Sequence, residues 1–386
     1  MTTIEKPSTA PWTRALERVG SRETEDLLEG RPDLLRLRGA PHRTLPPHIR
    51  EVAMRALDEP DRRPSRGLAE LRHALARELR THGGVDVDPG RELLVTNGAM
   101  QALNIVSRAL LAPGDEVLIP TPTFFMEGVV RLTHAVPVYV ASDEAQGWRW
   151  DVDRLEAAIT PRTRIVFACN PNNPSGFLPS RDDLLEIVDL ARRHDLIVLA
   201  DESYDRYVYD GARLTCALSL RDRASVVLVR SLSKSHALAS WRVGYIAADP
   251  ELTDLFVKVL EWECLHCGYV PQRVATAALE GPQEWLGDVA AEYQTIRDRL
   301  WPVICASEWL SCVRPKAAPF FFLNVRRVEQ VTRRDGAAVL LGAGIPTVAG
   351  RFFQAPGHVR LPFGADAVTI DRLESLLREF RPPEAA

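Results

Sequence analysis

The chain has 386 residues, of which 46% are hydrophobic and 26% charged, and a formal net charge of −4. That length exceeds what one small core needs, so two packed domains are expected, and no apolar run approaches the ~18 residues of a membrane-spanning helix. Basic residues are interleaved with acids, which excludes the stripe that would track a nucleic-acid backbone. The opening MTTIEKPSTAPWTR lacks the apolar core and small-residue cleavage site of a secretory signal, so a cytoplasmic protein is expected. Cys169, Cys216, Cys264, Cys267, Cys305 and Cys312 show no framework spacing and read as reduced thiols. The one C-x-x-C, Cys264 to Cys267, lacks the second pair or histidine cluster of a metal site, and no metal is expected.

In chain order, residues 1–45 are rich in Pro and Arg, and are expected to lie across the second domain or a neighbouring subunit. A large domain is expected over 46–280. Within it, seven short β-branched runs recur: ELLVT, EVLIP, VPVYV, RIVFACN, LIVLADE, SVVLVRS and RVGYIAA. Helical periodicity over Met100–Leu111 and Arg181–His194 separates several of them, and this alternation predicts an α/β fold with a mainly parallel seven-stranded sheet covered by helices on both faces. Helices are predicted over Glu251–His266, Gln272–Leu279 and Gln283–Leu300. They lead into APFFFLNV and a last helix, Thr369–Phe380, the material of a smaller α+β domain over 281–386.

Function in such a sheet sits at the C-terminal ends of the strands. The clusters NGAMQ, NPNNPSG, DESY and SLSK each follow a predicted strand directly, so they converge on one edge and point to a single active site. Lys234 stands there between small hydroxyl residues, where a carbonyl cofactor can reach its amine. Ser231, Ser233 and the guanidinium of Arg242 suit a phosphate dianion. Gly98-Ala99-Met100, at a strand-to-helix junction, adds free backbone N–H groups and the positive end of a helix dipole. Asp201 ends a buried strand and needs a cationic partner, such as a pyridinium nitrogen. Asn173 and Tyr204 can hydrogen-bond the phenolate oxygen of such a ring. Taken singly, each has an ordinary explanation: a solvated lysine, a helix N-cap aspartate, a turn asparagine.

Together, GLAELR (67–72), TNGAMQAL (96–103), PGDEVLIPTPTF (113–124), NPNNPSG (170–176), DESY (201–204), SLSK (231–234), WRVGY (241–245) and HVRL (358–361) occur in an order that resembles the fold-type I pyridoxal 5′-phosphate (PLP) enzymes, specifically the class I/II aminotransferase family, over most of the chain. The resemblance implies that Lys234 carries PLP as a Schiff base and moves the substrate α-proton. It implies that Asp201 pairs with the ring nitrogen, that Asn173 and Tyr204 bond the phenolate oxygen, and that Phe124 stacks on the ring. Gly98, the amides of Ala99 and Met100, Ser231, Ser233 and Arg242 would hold the phosphate. Arg360 would grip the substrate α-carboxylate, with Asn173 and the backbone of Gly39 beside it. A homodimer is implied as well.

Three positions depart from the family pattern: Arg62 where a tyrosine is common, Ser240 where glycine often precedes the W-R pair, and Ala317-Ala318 in place of Gly-Ala. The expected activity is transfer of the amino group of an α-amino acid to a 2-oxo acid. An alternative keeps the cofactor but performs β-elimination, or oxidative deamination or decarboxylation, on a specialised substrate. A non-catalytic effector-binding module would require a lost lysine or a helix-turn-helix extension, and the sequence has neither. Phe124, Phe320, Phe321, Trp12 and Tyr269 are candidates for an apolar pocket wall, although the FFF run reads more plainly as strand core; His266 and Tyr269, placed to approach a neighbouring active site, are read as structural, and no second arginine is assigned to a side-chain carboxylate.

Overall fold

A computed structural model describes residues 16–39, 44–59, 63–221 and 223–383. The seven β-branched runs form β1 (Leu93–Thr96), β2 (Glu116–Thr121), β3 (Val136–Ala141), β4 (Thr163–Cys169), β5 (Ile197–Asp201), β6 (Val226–Ser231) and β7 (Gly244–Ala247). They pair in the order β1-β7-β6-β5-β4-β2-β3, and only β7 runs against its neighbours. Strands β2 and β6 are buried at every position, as expected where helices cover both faces of a parallel sheet, whereas the edge strand β3 is largely open.

The described helices are α1 (Gly20–Leu28), α2 (Pro47–Ala56), α3 (Ala69–Glu78), α4 (Ala99–Leu110), α5 (Met126–Arg131), α6 (Val152–Ala157), α7 (Arg181–Arg193), α8 (Leu232–Ser235), α9 (Pro250–Cys264), α10 (Tyr269–Glu280), α11 (Val289–Cys305), α12 (Arg326–Thr332), α13 (Gly336–Gly342) and α14 (Ala367–Glu379). Helix α7 shows how local chemistry sets such an element. Ser180 and Asp183 close a capping box, Leu184, Ile187, Val188 and Ala191 form the buried stripe, and Arg192 and Arg193 complement the C-terminal dipole.

Two predicted helices end differently. The one predicted to reach His266 stops at Cys264, because Leu265 adopts a left-handed φ of 62°. The run predicted over Gln283–Leu300 splits. Gly287, at φ 62°, interrupts it after a single turn, and Asp288 caps a new helix, α11, by accepting from the Ala291 N–H.

A second sheet, antiparallel in the order β8-β10-β9, comprises β8 (Phe320–Asn324), β9 (Val348–Ala349) and β10 (His358–Pro362). Strand alternation parts the FFF run: Phe321 packs on Phe363 at 4.8 Å, while Phe322 faces the other way against Trp148 and Phe353. Phe124, Trp148, Phe322, Val348 and Phe353 form a small apolar cluster of their own, apart from the larger cores of the two sheets. Helix α1 lies on β9, with the Thr24 hydroxyl donating to the Thr347 carbonyl at 3.4 Å. Arg38 then forms a two-bond bridge with Gly364. The N-terminal residues thereby roof the C-terminal edge of the large sheet.

Candidate active site

The four polar clusters do meet at that edge, at the ends of β1, β4, β5 and β6. At the end of β6, the Ser231 hydroxyl accepts from the Ser233 N–H (3.1 Å) and donates to its hydroxyl (2.9 Å). This cap starts the four-residue helix α8, on which Lys234 sits. Arg242 reaches back to the Ser233 hydroxyl (3.3 Å), and its guanidinium occupies the space a Cβ on Gly98 would need. Gly98, at φ 84°, is the N-cap of α4, so two hydroxyls, a cation and a twelve-residue helix N-terminus converge. Ala99 and Met100 are the first two residues of that helix. Gly244 permits the approach: a Cβ there would lie 2.8 Å from the Gly98 carbonyl carbon and 2.9 Å from the Ala99 nitrogen.

Burial pushes the Lys234 amine down to about 8, and the nearby charges of Arg360, Arg242 and Arg22 add to the effect. Its Nζ lies 5.9 Å from the centre of the Tyr204 ring, and Tyr207 donates to its carbonyl at 3.4 Å. Asp201 closes β5. The backbone N–H (3.0 Å) and hydroxyl (2.6 Å) of Ser203 both engage its Oδ1, leaving Oδ2 without a protein donor among the described residues. Burial raises the Asp201 carboxyl despite those bonds. The site thus holds a carboxylate and an amine, each displaced from its ordinary pKa by desolvation.

Arg360, on β10, is buried and donates to Asn173 Oδ1 at 2.9 Å. Three rings surround its guanidinium, Phe320 at 4.5 Å, Phe124 at 4.6 Å and Phe353 at 5.1 Å, and burial lowers it to about 10. Its Nε is buried without a hydrogen-bond partner among the described residues. Gly39 lies against Phe320, where a Cβ would come within 2.8 Å of the ring, and 3.6 Å from the Tyr204 hydroxyl. Lys234, Arg360, Tyr204, Asn173, Phe124 and Gly39 all line one cavity of about 510 Å³.

Two candidate wall residues are corrected. Phe321 points into the core of the second sheet, and the Tyr269 hydroxyl is tied to Glu59 at 2.5 Å, outside the cavity lining. Trp12 and Arg62 lie outside the described residues. Ser240 lines the cavity, and the Ala318 N–H bonds the Tyr207 carbonyl at 2.8 Å, joining the second sheet to the DESY loop.

Several contributors were not read from the sequence. Asn173 is positioned through its N–H on the Cys169 thiol (3.4 Å), and its neighbour Asn172 bonds the Pro122 carbonyl (3.1 Å). Glu202, fully buried, accepts twice from Arg230 (2.6 and 3.1 Å) and once each from the Asn170 amide (3.2 Å) and the Ala217 N–H (2.8 Å). Thus β4, β5 and β6, which carry Asn173, Asp201 and Lys234, are locked together behind the cavity. The only sequence signal was a charged pair inside otherwise apolar strand ends.

A mainly parallel seven-stranded sheet with one reversed strand, a smaller antiparallel sheet beside it and a lysine just past β6 are the architecture of a fold-type I PLP-dependent enzyme. Residues 37–378 match the family described as Aminotransferase class I and II, and the chain belongs to that family. It is 32% identical over 371 residues to an aspartate aminotransferase of Pyrococcus abyssi, covering 93% of this chain and 95% of the relative. It is 30% identical to aromatic-amino-acid aminotransferase 2 of Thermococcus litoralis, with the same coverage. Among solved structures, the aspartate aminotransferase of Thermus thermophilus with maleate superposes with a TM-score of 0.89 at 28% identity, covering 97% of this chain and 99% of that one. The chain is accordingly an amino-acid aminotransferase of class I/II.

Proposed function

We propose that the cavity takes up PLP on Lys234, and that the enzyme then passes the amino group of an α-amino acid to a 2-oxo acid. The observation that carries this reading is the Lys234 amine, depressed to about 8 in a cavity that also holds Arg360. The surrounding residues fit the cofactor. The cleft between Gly98 and Arg242, flanked by Ser231 and Ser233, suits its phosphate, and the raised, half-satisfied Asp201 carboxyl suits a protonated ring nitrogen. When bound, PLP supplies an aldehyde carbon that condenses with amines and a pyridinium ring that accepts the electrons of the broken Cα–H bond.

The remaining work falls to the protein. Asp201, ionised against a cation, would keep that ring nitrogen protonated. Asn173 and Tyr204 would hold the ring's phenolate oxygen by hydrogen bonds, and Phe124 would wall the ring. The unpartnered Nε of Arg360, with its second fork nitrogen, receives the α-carboxylate and sets the Cα–H bond toward Lys234. Lys234, half neutral at pH 8, would take the α-proton and deliver it to the cofactor carbon. The aromatic walls exclude water around the charged groups. Relatives named for aspartate and aromatic amino acids support α-amino acid substrates. We assign a homodimer acting in the cytoplasm, with a cofactor domain over 46–280 and a smaller domain over 281–386. The test is Lys234→Ala: turnover of every amino acid used by the wild type should fall below detection while the fold, read by circular dichroism, is kept. A variant retaining full activity overturns the reading.

A further inference from the structure

We infer that Glu144, in the short turn after β3, is a positioning residue: acting through His358, it holds Arg360 where the α-carboxylates of both substrates bind. The inference rests on the aminotransferase reading and goes beyond it. His358 and Arg360 stand two residues apart on β10 and so share one strand face. That face is turned toward the large sheet, where Arg360 meets Phe124 and His358 meets Trp148. His358 is 2% exposed, and its ring stacks at 5.0 Å on Phe322, the cross-strand partner of Arg360. Its Nε2 lies 3.0 Å from Glu144 Oε2. The Asn324 amide, opposite His358 in the β8–β10 register, donates to the same oxygen at 2.8 Å. Burial by itself raises the Glu144 carboxyl, but the hydrogen bonds from His358 and Asn324 more than offset it and hold the group below the ordinary carboxylate range. An ionised carboxylate only accepts, so the His358 ring carries its proton on Nε2 and donates it.

Independent contacts tie the same segment to the large sheet. The chain between β9 and β10 carries Phe353, whose ring lies 5.1 Å from the Arg360 guanidinium. The Phe353 carbonyl accepts from the Thr123 N–H at 3.3 Å, and Gln354 donates to Glu127 of α5 at 2.6 Å. The approach to β10 is thus held at Phe353, Gln354 and His358 by residues that follow β2 and β3, strands of the sheet that carries Lys234 at its edge. Among these ties, the Glu144 carboxylate grips both strands of the β8–β10 pair. Packing alone does not call for it. A phenylalanine at position 358 would stack on Phe322 as well, whereas a buried imidazole costs free energy unless its N–H is paired. What the pair adds is alignment: one carboxylate oxygen fixes β8 and β10 against the large sheet, and with them the placement of the Arg360 fork relative to the Lys234 amine. A shift of about 1 Å in such a fork is enough to misplace the bound carboxylate.

The experiment measures the Kd of butanoate, a carboxylate with no amine to react, by calorimetric titration of the purified holoenzyme, together with KM and kcat for the amino acid and 2-oxo acid that the wild type uses. It compares wild type with Glu144→Ala, Glu144→Gln and His358→Phe. Glu144→Gln keeps an acceptor oxygen for both donors, and His358→Phe keeps the stack on Phe322 but removes the N–H. The butanoate Kd and the KM of both substrates should rise roughly tenfold in Glu144→Ala and His358→Phe and stay within about threefold of wild type in Glu144→Gln. The fall in kcat should be smaller than the rise in KM, and PLP affinity, read by equilibrium dialysis, should be unchanged. An unchanged butanoate Kd in Glu144→Ala and His358→Phe overturns the inference. So does a loss of PLP affinity or of kcat with KM unaltered, which would give the pair a general structural role. A wild type that transfers no amino group to any 2-oxo acid overturns the aminotransferase reading itself; the butanoate titration does not depend on turnover and still decides the role of Glu144.

Discussion

Lys234 owes its reactivity to where it is buried, and this gives a pH signature before any substrate is added. With an amine depressed to about 8 instead of 10.5, half of it is neutral at pH 8, against roughly 1 in 300 for an ordinary lysine. Capture of PLP by the apoprotein should accelerate as pH rises and level off above about 8, since only the neutral amine attacks a carbonyl. Stopped-flow absorbance checks this, and a midpoint at or above 10 would show an unperturbed amine. Asp201 has the opposite problem, a carboxyl whose burial raises it until a cation is supplied. Asp201→Ala should keep PLP through the phosphate cradle yet lose kcat by on the order of 10²–10³-fold, as when a group that stabilises developing charge is removed. Loss of cofactor with intact kcat in the residual holoenzyme would reverse that assignment. Lys234, Asp201 and Asn173 were legible in the sequence because each follows or ends a recognisable strand, whereas Arg360, in the middle of β10, was legible only through the family motif HVRL. The share of α1 in the cavity lining was not, because nothing local tells a helix that it borders a site built on strand ends far along the chain.

At the scale of elements, the site depends on strand ends staying in register. Glu202 and Arg230, adjacent in sequence to Asp201 and Ser231, form a buried pair that also grips the β4 loop. Removing one partner strands the other charge. Arg230→Met should therefore cost about 3–5 kcal/mol of stability, read from urea unfolding of the apoprotein. A loss under 1 kcal/mol would mean that the pair contributes little to holding the three strands. Gly244 is a second such point: Gly244→Ala should push the β1–α4 turn away from Arg242 and weaken PLP affinity at least tenfold, measured by equilibrium dialysis. Unchanged affinity would show that the turn relaxes elsewhere. The seven strands were legible because buried parallel strands are written as short β-branched runs. The helix boundaries after residue 250 were less so. Single residues at left-handed φ, Leu265 and Gly287, end helices whose periodicity continues past them.

For the whole molecule, the N-terminal helix, both sheets and the loops between them all contribute to the cavity that holds Lys234 and Arg360. Trp262 and Leu265 stand 94% and 69% exposed at the end of α9, an apolar pair unusual on a free surface and suited to an isologous contact. Trp262→Glu should shift the proposed homodimer toward monomer in sedimentation equilibrium; an unaltered dimer would move the contact to another face. The fold class was legible from the alternation of runs and helices. The particular contacts by which residues 16–39 pack, such as Arg38 with Gly364, were not, because they follow no periodic pattern.

The central claim is tested most directly by an anaerobic absorbance titration of the holoenzyme with single amino acids and no 2-oxo acid present. The account predicts that one amino acid bleaches the band of the lysine-bound cofactor stoichiometrically and that a 2-oxo acid restores it. A band that persists while product accumulates would contradict it, and oxygen dependence would then separate an oxidative enzyme from a lyase.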